Sequence, residues 1–151
     1  MTHFKIIIPM YNVEKWIQTT IRSVMAQTYA NYEVIIVDDI STDHSCDKVK
    51  ELIGVDSRFQ LVENKKKRFA LENIVRGIKM LSPSESDVIV TLDGDDWFPH
   101  ANVLSRIADA YETTNCLITY GTYMTYPEGK RPWNVTQYPA EVVTSASYRQ
   151  D

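Results

Sequence analysis

Glycine is scarce: there are five in 151 residues, and none follows the first apolar run. A dinucleotide site of the usual kind needs a glycine-rich turn there, so that backbone can approach a pyrophosphate. The turn here reads "PMYNVEKW" (9–16), and no GxxxxGK[ST] occurs anywhere. The sequence therefore offers no backbone cradle for phosphates. Cysteine is scarcer still. Cys46 and Cys116 lie far apart without metal-ligand spacing and read as free, mostly buried thiols of a reducing compartment. Long hydrophobic runs are missing as well. "FKIII" (4–8) breaks at Pro9, too soon for a signal peptide, and no stretch approaches a membrane span. The expectation is a soluble cytoplasmic protein, with peripheral membrane contact left open. Excess basic charge is absent too, since the net charge is -4, which argues against a general nucleic-acid binder. The one basic run, Lys65 to Arg68, reads as a solvated loop, above all its three lysines.

What is present is alternation. Short apolar runs rich in β-branched residues, 4–8, 32–38 and 87–92, read as strands, with 58–62 a weaker one. Between them, apolar residues at three- and four-residue steps predict helices over 13–27, 43–54 and 69–81, and a further helix opened by Pro99 and Asn102. Asn12 is the expected N-cap of the first, and Gly54 the stop of the second. "CLITYGTYMTY" (116–126) predicts a longer strand, followed by an irregular segment, "PEGKRPWNVTQYP". This order implies an α/β domain with a mostly parallel sheet flanked by helices, in which 4–8, 32–38 and 87–92 are neighbouring central strands. Residues 1–126 form the expected core and 127–151 an irregular C-terminal segment.

In open sheets of that kind ligands collect at the carboxyl ends of strands. Three polar clusters fall at such ends: "PMYN", "DDISTD" and "DGDD". The last crowds Asp93, Asp95 and Asp96 into four positions. Mutual repulsion disfavours this unless the loop is a solvated Asp/Gly turn or something positive binds there. A divalent cation held by carboxylates would perform the phosphate-bridging role that the missing glycines cannot. Gly94 is expected to let the backbone turn sharply. An EF-hand is the rival calcium reading, and it fails because "WFPHANV" supplies no later acidic ligands.

"IIIPMYN", "SVMAQTY", "YEVIIVDDISTD", "RFALENIVRGI" and "VIVTLDGDDWFPH", in that order and spacing, resemble the nucleotide-binding half of family 2 glycosyltransferases, inverting enzymes of the GT-A (Rossmann-like) fold. The match spans residues 4 to about 112. The resemblance implies binding of a nucleoside diphosphate sugar, most often a UDP-sugar, with Mn2+ or Mg2+. It places Pro9 and Tyr11 in the base pocket, with Tyr11 stacking on the base. Asp39 would accept a hydrogen bond from the base edge, and Arg68 would sit near the base or phosphates. Asp93 would lie near the ribose and Asp95 would ligate the metal, with Asp96 the competing ligand and Asp93 a further candidate. The alternatives are a core role for Tyr11, a helix-capping role for Asp38 or Asp39, and a solvated Arg68.

The family usually has glycine where Ile40 stands. It also continues past this length into an acceptor-binding part that carries a carboxylate base. Glu128 and Glu141 are acidic but match no such base, so the catalytic base is unassigned. The chain is expected to be a truncated form, a short relative or a subunit, with apolar surface left for self-association. The rival functions are a nucleotidyltransferase, which would show a glycine-rich basic loop after the first strand, and a non-catalytic nucleotide-sugar-binding module.

Overall fold

The computed structural model describes residues 1–114 and 116–130. Its elements run β1 (His3–Met10), α1 (Ile17–Met25), β2 (Tyr32–Asp38), α2 (Ser45–Ile53), β3 (Phe59–Glu63), α3 (Phe69–Leu81), β4 (Asp87–Thr91) and α4 (Val103–Thr114). All strand pairs are parallel, in the order β3-β2-β1-β4. The chain is thus the α/β sheet its alternation implies.

Burial explains the apolar runs. Phe4, Ile6 and Ile8 of β1 face one side with Val34 and Ile36 of β2, packed against Ile17, Ile21 and Val24 of α1, Val49 of α2, and Leu104 and Ala108 of α4. Ile7, Ile35 and Val37 face the other side, where α3 supplies Ile74, Ile78 and Leu81. Alternate residues of β1 and β2 thus enter two cores, which is why both strands read as nearly continuous apolar runs. Gly77 lets α3 sit close on the sheet, because a Cβ there would lie 2.8 Å from Cγ2 of Ile7.

Several expectations need correction. The strand at 87–92 pairs with β1 as expected but is not central: among the described residues it is the edge opposite β3. Val88 and Val90 are only partly buried against the larger core. An apolar run records at least one covered face, not a partner on both sides. The helix expected from residue 13 begins at Ile17, after a turn closed by Val13 O, which accepts from the Trp16 and Ile17 N–H groups. Asn12 does not cap it, because its Oδ1 accepts the Thr42 N–H at 2.8 Å instead.

The strand expected at 116–126 is absent. Two compact units are distinguished, Met1–Leu117 and Ile118–Asp151. In the second, the described residues have no strand, and only a turn at 126–128 with Gly129 N–H donating to Thr125 O at 2.8 Å. Ile118, Tyr120, Tyr123 and Met124 are exposed. β-branched and aromatic residues fit a pleated, half-buried surface, and among the described residues no partner strand provides one here. No helix among the described residues is long and apolar enough to cross a membrane.

Candidate functional site

Strand order places the site. β1 lies between β2 and β4, with α1 packed on one face of the sheet and α3 on the other. The loops after β1, β2 and β4 meet at the carboxyl edge, beside the start of α3, and a crevice forms between them. Their ladders continue past the strands: Leu92 N–H donates to Ile7 O at 3.1 Å, Gly94 N–H to Pro9 O at 3.1 Å, and Asp39 N–H to Met10 O at 2.9 Å. A cleft of about 220 Å³ results, lined by Pro9, Tyr11, Asp39, Asn73, Asp93, Gly94 and Asp95 among others. Six of the eight residues proposed from sequence meet there. Arg68 and Asp96 are not in its lining.

Asp39 is 3% exposed and heavily engaged. Its Oδ1 accepts from Asn64 Nδ2 at 3.1 Å and Arg68 N–H at 2.8 Å, and its Oδ2 accepts from Phe69 N–H at 2.8 Å. Burial works to raise its pKa. The hydrogen bonds from Arg68, Asn64 and Phe69, with a smaller contribution from the Asn73 amide, outweigh it and hold the carboxyl below its ordinary value. The capping alternative is thus partly realised, on a different helix. Asp39 anchors the start of α3, while the start of α2 is held by Asp43, whose Oδ1 accepts the Ser45 N–H at 3.0 Å. Asp38 accepts the Ser41 N–H.

Behind Asp39 runs a buried polar chain. Arg76 donates to Asn64 Oδ1, and Asn64 Nδ2 donates both to Asp39 and, at 2.7 Å, to Asn73 Oδ1. Tyr11 is about half exposed, with Lys67 Nζ over its ring and 3.7 Å from Asp39 Oδ2. Lys67 was not separable from its neighbours in sequence. Only the loop's path brings this one of the three lysines to the cleft. The Arg68 guanidinium is turned to Glu72, one helical turn on.

The acidic loop is held by what surrounds it. Trp97 stacks on Trp16 with ring centroids 5.9 Å apart, Thr20 Oγ1 donates to Gly94 O at 3.0 Å, and Phe98 N–H donates to Ser23 Oγ at 3.0 Å. Gln27, which sequence reasoning missed, fastens the loop's far end. It donates to His100 O at 2.9 Å and accepts the Leu104 N–H at 3.0 Å. Gly94 is required for space rather than for the sharp turn expected, since its φ is outside the left-handed region. A Cβ there would lie 2.8 Å from Met10 Cβ. The carboxylates of Asp93, Asp95 and Asp96 have no cationic partner among the described residues. Desolvation, and then the charges of Asp95 and Asp93, push the Asp96 carboxyl above its ordinary pKa, as the crowding predicts. Among the described residues no three His, Cys, Asp or Glu side chains are grouped to hold a metal. Of the acidic residues without an assigned role, Glu128 lies in the 126–128 turn, and Glu141 lies outside the described residues.

Ile40 stands beside this cleft with φ at +65°. The left-handed conformation costs about 1–2 kcal/mol in an L-residue, and a β-branched side chain is poorly suited to it. Glycine would lose about 0.5–1 kcal/mol in chain entropy. Ile40→Gly is therefore expected to stabilise the protein by up to about 1 kcal/mol. A lower midpoint in urea unfolding would contradict that balance.

The chain is similar to known proteins over most of its length. The family model of Glycosyl transferase family 2 matches residues 5–149. "UDP-Glc:alpha-D-GlcNAc-diphosphoundecaprenol beta-1,3-glucosyltransferase WfgD" of Escherichia coli is 37% identical over 119 residues, covering 78% of this chain and 44% of that protein. "Glycosyltransferase GlyG" of Streptococcus pneumoniae serotype 4 is 27% identical over 123 residues, covering 82% and 40%. The chain thus spans less than half the length of these curated relatives. Among solved structures, mannosyltransferase PcManGT from Pyrobaculum calidifontis, in complex with GDP-Man and Mn2+, is similar with a TM-score of 0.66 at 21% identity, covering 74% of this chain and 33% of that one. S. aureus TarS 1-349 in complex with UDP-GlcNAc gives 0.64 at 23%, covering 76% and 32%. These neighbours share the GT-A fold.

Proposed function

Because this chain belongs to glycosyl transferase family 2, we propose that it binds a UDP-sugar together with Mn2+ or Mg2+ and serves transfer of the sugar, with inversion, to an acceptor hydroxyl. The observation that carries the reading is one cleft lined by Tyr11, Asp39 and Asp95, each from a different loop at the carboxyl edge of the sheet. The UDP-Glc in the name of the Escherichia coli relative supports the choice of nucleotide.

The carboxylates suit an ion that takes one or two protein oxygens and completes its shell with water and phosphate, not one needing an all-protein cage. Asp95, in the cleft lining, would hold it, with Asp93 beside it. Asp96, outside the lining, is the weaker assignment. When bound, the ion offsets the negative charge of the leaving diphosphate. Tyr11 offers its ring to the base, Asp39 accepts an N–H from the base edge, and Asp93 faces the ribose. Arg68 reaches the phosphates only by leaving Glu72. In the transfer itself the acceptor oxygen bonds to the anomeric carbon as the carbon–diphosphate bond breaks, and a carboxylate takes the hydroxyl proton. No residue of the cleft is assigned as that base, so binding is the property to test first. Sugar nucleotides with manganese should raise the melting temperature. A panel in which none does so, with or without metal, would overturn the reading.

A further inference from the structure

Four consecutive cations, Lys65 to Arg68, stand in a chain of net charge -4. Arg68 pairs with Glu72 and Lys67 with Asp39, and the flanking Glu63 is taken by Lys50. Lys65 and Lys66 are exposed and have no ion-pair partner among the described residues. Apolar side chains follow at once. Phe69 and Leu71, in the first turn of α3, are 72% and 74% exposed, and Val75, one turn beyond Leu71 on the same face, is exposed as well. Neither Phe69 nor Leu71 lines the cleft.

Phe69 is held there against its backbone preference. Its φ is +64° and that of Ile40 is +65°, in a region where bulky L-residues are rare and glycine is at ease. Both residues adjoin Asp39: Ile40 follows it, and Phe69 N–H donates to its Oδ2 at 2.8 Å. Both are exposed. The fold thus carries two strained apolar side chains in water beside the cleft, and strain of this kind concentrates at binding and switch regions.

We propose that the loop before α3 and the first turns of that helix, with Ile40, form a docking surface for an anionic lipid bilayer, which holds the cleft close to the membrane surface. Protruding apolar side chains enter the boundary between head groups and acyl chains, while ammonium groups stay among the anionic head groups. A peptide partner would need a groove, and Phe69 and Leu71 stand outside the cleft. A polynucleotide would use the lysines and leave Leu71 and Val75 in water.

The test is flotation of the protein with vesicles of phosphatidylcholine alone and of phosphatidylcholine mixed with phosphatidylglycerol, at low and high salt and without nucleotide. The protein should bind the mixed vesicles, and less so as salt rises. Lys65→Gln combined with Lys66→Gln should weaken that binding roughly 30-fold, about fivefold for each lysine. Phe69→Gly should weaken it roughly tenfold. It should do so without lowering the melting temperature, because glycine suits the positive φ and keeps the N–H bond to Asp39. Leu71→Gln, at an exposed helix position, should act in the same direction. No vesicle binding by the parent would overturn the inference, as would binding unchanged in all three variants, or retention on an acidic polynucleotide and not on vesicles. Each of those results leaves the nucleotide reading standing, since UDP titration tests that separately.

Discussion

Asp39→Ala is expected to lower the stability of the fold by about 2–4 kcal/mol, because it strands three donors at once, one buried and two part-buried. Arg68 N–H, Phe69 N–H and Asn64 Nδ2 all point at this carboxylate, so its removal leaves the start of α3 without its acceptor. The folded fraction should also bind UDP about 1–3 kcal/mol more weakly, the usual loss for a charged hydrogen-bond partner. Chemical unfolding and calorimetry on the same variant separate the two effects. An unchanged unfolding midpoint contradicts the anchoring role, and an unchanged UDP affinity contradicts the base contact.

The same carboxylate governs acid behaviour. Its folded pKa lies below the ordinary value, as does that of Asp43, where burial is outweighed by bonds from Ser45 and the Glu14 N–H. Their stabilisation is complete above the unfolded value and fades as pH falls through the folded one, below about pH 4.

Gly94→Val is the second large effect. The new Cβ would stand 2.8 Å from Met10 Cβ and 3.2 Å from both Pro9 O and Val13 Cγ2. Two of these atoms are fixed by the backbone of β1, so the acidic loop must lift away. The Gly94–Pro9 and Thr20–Gly94 hydrogen bonds break with it. Overpacking of this sort costs about 1–3 kcal/mol, but the larger consequence is for binding. Asp93 and Asp95 flank the displaced residue, so metal-dependent UDP binding should fall by at least about tenfold, as positioned groups lose their geometry. A stable variant with unaltered nucleotide binding would show that the loop does not depend on this close approach.

Much of this architecture was legible because it rests on short-range pattern. β1 and β2 are buried on both faces, and each shows it in nearly every residue. α3 has the bounds its periodicity implies, 69–81, although of that pattern Ile74, Ile78 and Leu81 pack on the sheet while Leu71 and Val75 are exposed. The clusters "PMYN", "DDISTD" and "DGDD" meet because parallel strands bring their carboxyl ends to one edge, which follows from topology once the alternation is read. What escaped depends on partners far away in sequence. Asn12 looked like a cap and instead bonds Thr42, 30 residues on. Gln27 looked like a helix end and holds residues 100 and 104. Lys67 and Asn73 were indistinguishable from solvated or core positions until the loop before α3 was placed against Asp39. The stretch at 116–126 shows the opposite failure, strong local propensity with no strand to pair with among the described residues.

The central claim is that the crowded carboxylates of "DGDD" are completed by a divalent cation and a nucleoside diphosphate. Its most direct test is UDP titration with and without manganese, on the parent and on Asp95→Asn, which removes a charge and keeps the shape. In the parent, manganese should strengthen UDP binding and UDP should strengthen manganese binding by the same factor, as linkage requires. In Asp95→Asn, UDP should still bind through Tyr11 and Asp39, and manganese should add nothing. Equal strengthening in both proteins would remove Asp95 as the ligand, and a parent indifferent to manganese would contradict the claim itself.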